Sequence, residues 1–357
     1  MKNLIKPKAL KTGDLVATVS LSWGGASVFP YRYEQSKKQF ETAFDVKSVE
    51  APHARASAEM LYQNPKLRLD DLMWAFENKD VKAILTNIGG DDTIRLLPLM
   101  NEKHFEITRK NPKIFLGMSD TTVNHFMCFK AGLSSFYSPC LLFGYGENGG
   151  VPDLLLQNTK KTLFSTKAIG KLSESDFFIV DRIDWALQNA PLRSHIPSTP
   201  WRYIGSKRKV QGRLLGGCMD LFQFINGTSL WPEKEEWAGA ILFLETSEER
   251  PSPLSLLYMM RNLGAQGILQ ELKGILFARP GGEFDESESA IKEAYLKSYE
   301  EYDAVLLKVC KEFDVDMPIV TNMDFGHTVP QLLLPYGALC EIDPLNKQVS
   351  ILESAVE

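Results

Sequence analysis

KIFLGMSDTTVNHF, residues 113–126, is the stretch whose reading decides the fold. An apolar, strand-like run stops at Ser119-Asp120, and a helical pattern begins at once at Thr121. The same alternation precedes it. DLVATVSLS, residues 14–22, reads as a buried strand, followed by a turn at Trp23-Gly24-Gly25. Residues 31–44 space Tyr33, Phe40 and Phe44 as on a helix, and KSVEAP reads as a second short strand. Residues 65–78 open with Pro65 and set Leu69, Leu72, Met73 and Phe76 on one face, the period of an amphipathic helix. VKAILTNIGG is a strand ending in a glycine turn, and Thr93 to Met100 a short helix. Strands alternating with helices predict a parallel α/β sheet. Ligands in such sheets bind at the carboxyl ends of the strands, so Gly89-Gly90 and Ser119-Asp120 are expected to open on one edge.

Beyond residue 145 the pattern weakens, and NAPLRSHIPSTPW, residues 189–201, reads as a linker or mobile loop. A second unit follows. KVQGRLLGGCMDLFQFING predicts a strand, a glycine turn and a helix; AGAILFLET is a strand; SPLSLLYMMRNLG is a helix closed by Gly264. LKGILFARPGG is a strand and turn, SAIKEAYLKSYEEYDAVLLKVCKEF one long helix, MPIVTNMDFGHT a strand ending at His327, and YGALCEIDPLNKQVSILES a hairpin. With 357 residues the chain exceeds one ordinary core. The expected division is an N-terminal parallel-sheet α/β domain over 1–165, a linker and substrate loop over 166–205, and a C-terminal mixed α/β domain over 206–357.

A net charge of −5 disfavours a general nucleic-acid binder, which would carry a basic stripe. The apolar runs fall far short of the about 20 residues that span a bilayer. The N-terminus MKNLIKPKALKTGD lacks the apolar segment of a secretory signal, so a cytoplasmic location is expected. The five cysteines form no CxxC pair and read as reduced and buried. There is no HExxH, no Cys/His cluster and no phosphate-loop pattern, so neither metal nor cofactor is expected.

Ser119 suits a helix N-cap, a role Ser often fills, and equally a strand–turn–helix elbow that exposes a nucleophile where the helix N-terminus favours developing negative charge. GMSDT lacks the second Gly of the α/β-hydrolase elbow. Of five histidines, His53 and His195 lie in polar loops, His104 in a charged stretch, and His125 on the helix after Ser119. His327 sits in DFGHT beside a glycine and is the candidate base. Glu245 ends the apolar run AILFLE, where a carboxylate is costly without a partner. His327 would be that partner. The alternative places Glu245 in a charged surface turn with Glu248, Glu249 and Arg250. IGGDD, residues 88–92, offers backbone N–H groups for an oxyanion, with Gly90 and Asp120 the candidate donors.

Taken together, GMSD, IGGDD, ILFLETSEE, QGRLLGGC and DFGHT resemble the LD-carboxypeptidase family of serine peptidases, and within it the microcin C self-immunity branch. The resemblance runs from KALKTGDLVATVS to FGHT. It implies a Ser-Glu-His triad on Ser119, Glu245 and His327, oxyanion amides at Gly90 and Asp120, and a homodimer without metal or cofactor. The implied substrate is a small peptide or peptidyl-nucleotide. Immunity members cleave the amide joining an aspartyl or peptidyl group to a modified adenylate; murein-recycling members release D-alanine from a tetrapeptide. In the immunity branch an aromatic residue of a mobile loop stacks on the base, which here points to Trp185, with Trp201 as the alternative. Arg279 is the candidate for holding a substrate carboxylate or phosphate. Two other classes remain on the sequence: a two-lobed non-enzymatic binder, and an amidotransferase-like protein, which would need Cys where Ser119 stands.

Overall fold

The computed structural model describes residues 3–187 and 192–357; residues 189–191 of the expected loop lie outside them. Two sheets form the frame. The first orders its strands Leu334–Pro335, Phe136–Tyr137, Ile114–Gly117, Val81–Thr86, Leu15–Val19, Lys47–Glu50. Its neighbours are parallel except at the Leu334–Pro335 edge, which is antiparallel. Ile114–Gly117 is buried throughout, and Val81–Thr86 is buried except at Lys82, the signature of a parallel sheet covered on both faces. The second sheet runs Gly170–Lys171, Gln348–Ile351, Leu339–Asp343, Val210–Cys218, Ala240–Glu245, Gly274–Ala278, Pro318–Met323, Arg202–Gly205. Its four central strands from Val210–Cys218 to Pro318–Met323 are parallel and its flanks antiparallel. This is the expected α/β class: a parallel N-terminal sheet and a mixed C-terminal one.

Several local expectations are corrected. The glycines of QGRLLGGC make no turn; they lie inside the Val210–Cys218 strand, which passes directly into the Met219–Ile225 helix. Close packing explains them. A Cβ on Gly217 (φ 143°) would come within 2.6 Å of Thr122 on the helix after Ser119, and the Cys218 N–H donates to Thr122 Oγ1 at 3.2 Å. Gly264 does not end its helix, which runs Pro253–Ala265 and gives way to a left-handed Gly267. The expected long helix is two, Ser289–Lys297 and Tyr299–Glu312, parted at Ser298. The strand before His327 closes at Met323, leaving His327 on a loop. The Trp23-Gly24-Gly25 turn leads into a short helix, Gly25–Val28, and a helix at Asp153–Leu163 lies in the stretch whose sequence pattern was weak.

One apolar cluster joins both sheets. Phe126 meets Phe222 edge-on, and Tyr336 stacks on His125 while donating its hydroxyl to Gly216 O at 2.6 Å. The helix after Ser119 is therefore clamped between the sheets, and the carboxyl ends of both sets of strands face a common pocket.

Candidate active site

Ile114–Gly117 delivers the chain to Ser119 in a left-handed conformation, φ 58°. That region costs a non-glycine residue about 1 kcal/mol or more, and such strain gathers at functional sites. Ser119 is buried at 8% exposure and lines a pocket of about 1180 Å³ with Gly89, Gly90, Asp120, Trp185, Glu248 and His327. Its N–H donates at 3.0 Å to the hydroxyl of Tyr137, which donates in turn to Glu245 Oε1. Tyr137 occupies this place because the parallel register pairs it with Gly117, two residues before Ser119. Burial, then the nearby Glu245, holds the Tyr137 hydroxyl protonated far above its usual range.

Glu245 is fully buried at the end of Ala240–Glu245, level with Cys218 on the adjoining strand. Its Oε2 accepts from His327 Nδ1 at 2.6 Å. Gly326 makes that approach feasible: it sits at φ 84°, and a Cβ there would lie 2.5 Å from Glu245 Oε2. The other ring nitrogen, Nε2, is 3.0 Å from Glu248 Oε2. Burial alone would lower the His327 pKa; Glu245 and Glu248 outweigh it and raise the value well above the ordinary histidine range. The two carboxylates thus favour the form of the ring that carries a proton on both nitrogens. The Glu248 carboxyl, which lines the pocket, would be pushed up by desolvation; the His327 charge brings it down to about 2.

The glycine turn comes within reach of the serine. A Cβ on Gly89 would lie 3.0 Å from Ser119 Cβ and 3.4 Å from the Asp120 nitrogen. The turn is fixed from behind by a buried ion pair, Arg68 to Asp92 at 2.5 and 3.0 Å. Gly90, at φ 150°, packs on Ser22 with no room for a side chain. The Asp120 carboxylate accepts from Ser22 Oγ at 2.5 Å and from Thr93 N–H at 2.8 Å, which ties turn and elbow together. The N–H of Asp120 lies in the first turn of its helix, where such groups lack intrahelical acceptors.

The remaining residues separate clearly. Trp185 lines the pocket, edge-on to Phe29 at 5.6 Å and beneath the Arg32 guanidinium at 4.9 Å. Trp201 is buried elsewhere, donating to Asp324 Oδ2 at 2.8 Å. Arg279 is also outside the pocket lining: it is 1% exposed, paired with Asp324 at 3.2 Å, bonded to Asn322 at 2.7 Å, and stacked over Phe178. The expectation that it holds a substrate anion fails on that placement, because its charge is already spent on a buried carboxylate. His125 is fully buried between Gly117 O and Ser135 Oγ, and burial lowers its pKa to about 3, so it is a neutral packing residue. All five cysteines are buried and unpaired. Among the described residues no cluster of three or more His, Cys, Asp or Glu side chains is arranged to hold a metal, and no helix is long and apolar enough to cross a membrane.

Models of the two halves of one family match the chain: the LD-carboxypeptidase N-terminal domain over residues 16–138 and the C-terminal domain over residues 211–342. The chain belongs to the LD-carboxypeptidase family. Within it, the microcin C7 self-immunity protein MccF of Escherichia coli is 29% identical over 77% of this chain and 75% of its own length. A Bacillus subtilis relative named a probable murein peptide carboxypeptidase is 25% identical over 98% of this chain and 95% of its own. An MccF-like protein of Streptococcus pneumoniae, solved in complex with AMP, is 28% identical, covering 95% of this chain and 98% of that one, with a TM-score of 0.80. The MccF fold itself, solved in complex with aspartyl sulfamoyl adenosine, superposes with a TM-score of 0.83 over 99% of this chain and all of the other, at 24% identity. Membership of this family makes the protein a peptidase-type hydrolase.

Tyr137, Glu248 and Arg68 went unnoticed in the sequence as site residues. Tyr137 has no motif; only its register beside Gly117 marks it. Glu248 stands in ILFLETSEE among solvent-type charges, and nothing local separates the carboxylate facing His327 from its neighbour Glu249.

Proposed function

We propose that this LD-carboxypeptidase relative is a serine-type amidase with a Ser119–His327–Glu245 triad, acting on the amide between an aminoacyl or peptidyl group and a modified adenylate. The observation that carries the proposal is the buried Glu245 at 2.6 Å from His327 Nδ1, in the pocket that also holds Ser119 at φ 58°. In the proposed reaction His327 Nε2 leaves Glu248, gives its proton to water, and then accepts the Ser119 proton as Oγ attacks the scissile carbonyl. The Gly90 and Asp120 N–H groups receive the oxyanion. The imidazolium then donates to the leaving nitrogen, and water, deprotonated by His327, releases the acyl group from Ser119. Glu245 fixes the tautomer and stabilises the positive ring. Tyr137 keeps the serine backbone and Glu245 in register.

An adenylate leaving group is favoured over a murein peptide by the aromatic wall of Trp185, Phe29 and Trp23, which gives a purine a stacking surface. The Streptococcus pneumoniae relative solved with AMP supports the same choice. The test incubates the protein and its Ser119→Ala variant separately with an aminoacyl sulfamoyl adenosine and with a murein tetrapeptide, read by mass spectrometry. Release of sulfamoyl adenosine by the wild type alone is expected. Release of D-alanine alone would give the murein activity instead, and no product from either would sink both.

A further inference from the structure

Among the described residues the pocket lining has eight carboxylate side chains against one arginine, Arg182, besides His327, with Arg193 and Arg32 near enough to act on Glu283. Some have structural duties: Asp120 braces the elbow, and Asp220 accepts the Ser247 N–H at 3.1 Å. Glu283 has none. It makes no hydrogen bond or ion pair with any described residue; the half-buried setting raises its pKa by desolvation, against the opposing pull of Arg193, His327 and Arg182. It follows the Gly281-Gly282 turn, which closes on the base: a Cβ on Gly281 would lie 2.6 Å from His327 Cβ. Glu248 presents a second, independent anomaly. Its carboxylate lies 3.0 Å from His327 Nε2, the atom that must be free to take the Ser119 proton.

We propose that the pocket selects an acyl group bearing a cationic amine, of the lysyl type, and disfavours acidic aminoacyl groups, with Glu283 and Glu248 receiving the ammonium. This rests on reading the pocket as an aminoacyl-adenylate amidase. The ammonium competes with the imidazolium for the Glu248 carboxylate. When Glu248 turns to the substrate, His327 loses that partner and releases its Nε2 proton to water. Nε2 then accepts the proton of Ser119 as the Oγ–carbonyl bond forms. An aspartyl group adds a negative charge to a wall that already has an excess of them, and it leaves Glu248 on the base.

Lysyl and aspartyl sulfamoyl adenosine differ only in the acyl side chain, and Glu283→Gln isolates the contribution of charge. With the full-length protein, kcat/KM for the lysyl compound is expected to exceed that for the aspartyl compound by about tenfold or more, as one added ion pair in a partly desolvated site allows. Ser119→Ala is expected to bind the two with the same order and a similar ratio in calorimetry, and Glu283→Gln to bring both ratios toward parity. Equal or preferred cleavage of the aspartyl compound overturns the inference and leaves the amidase reading standing. Cleavage of neither, with the lysyl compound still bound about tenfold more tightly, supports charge selection and sinks the amidase reading. Binding with no lysyl preference overturns the inference.

Discussion

Ser119 is held in a strained backbone conformation, and His327 is held between two carboxylates. The serine backbone stays at φ 58° because its N–H is bound by Tyr137, and Tyr137 is bound by Glu245. Tyr137→Phe removes a fully buried hydroxyl and leaves the Ser119 N–H unsatisfied, which costs about 1–3 kcal/mol. Urea melts are expected to show that loss, with a fall in kcat that Tyr137→Phe no longer causes in the Ser119→Ala background. The base has a pH consequence. Two carboxylates raise the His327 pKa against the opposing effect of burial. Free base therefore appears only as pH rises through that raised value, and kcat/KM falls as pH drops through it. Cys140, Glu283 and the Phe143 ring also face His327, but Glu245 and Glu248 dominate. Glu248→Gln removes one negative charge, so the acid limb of the kcat/KM profile is expected to move to lower pH; an unmoved limb would detach Glu248 from the base.

At the scale of elements, two close approaches hold the pocket's geometry. The Gly89-Gly90 turn depends on the Arg68–Asp92 pair, with Arg68 on the Pro65–Glu77 helix and itself wholly buried. Arg68→Met leaves Asp92 as a mostly buried carboxylate with only the exposed Arg95 near it, and is expected to cost about 3–5 kcal/mol in a denaturant titration. Gly217→Ala, at φ 143° and 2.6 Å from Thr122, is expected to part the nucleophile helix from the Val210–Cys218 strand, lowering both Tm and turnover. The alternation of apolar runs with helical spacing made these elements readable, because strands covered on both faces must be continuously apolar. The glycine pair in QGRLLGGC misled for a physical reason: glycine marks a turn and a close approach alike, and the partner that decides between them, Thr122, lies almost a hundred residues away. For the same reason the strand ends carrying Ser119, Glu245 and the Gly89-Gly90 turn could be found locally, whereas Tyr137 and Glu248 take their roles from register and from across the pocket. Arg279 was misjudged because a strand-end arginine in a sequence does not reveal the buried Asp324 that claims it.

At the scale of the whole molecule, the site draws on both halves of the chain. Ser119, Tyr137 and the glycine turn come from the first sheet, Glu245 from the second, and His327 from the loop that follows it. The first sheet is itself completed by Leu334–Pro335, from far downstream. A fragment ending at residue 165 would expose the Phe136–Tyr137 edge and lack both Glu245 and His327. It is expected to aggregate or fold only in part, with no hydrolysis in the assay that reports on the full chain; activity in that fragment would remove Glu245 and His327 from the mechanism. The central claim is that Ser119 is the nucleophile, activated from across the pocket. Its most direct test is intact-mass spectrometry after exposure to a serine-directed phosphonate, followed by peptide mapping. The account predicts one adduct, on Ser119, absent in Ser119→Ala and much slowed in Glu245→Gln. An adduct on another residue, or undiminished labelling of Ser119→Ala, would contradict it.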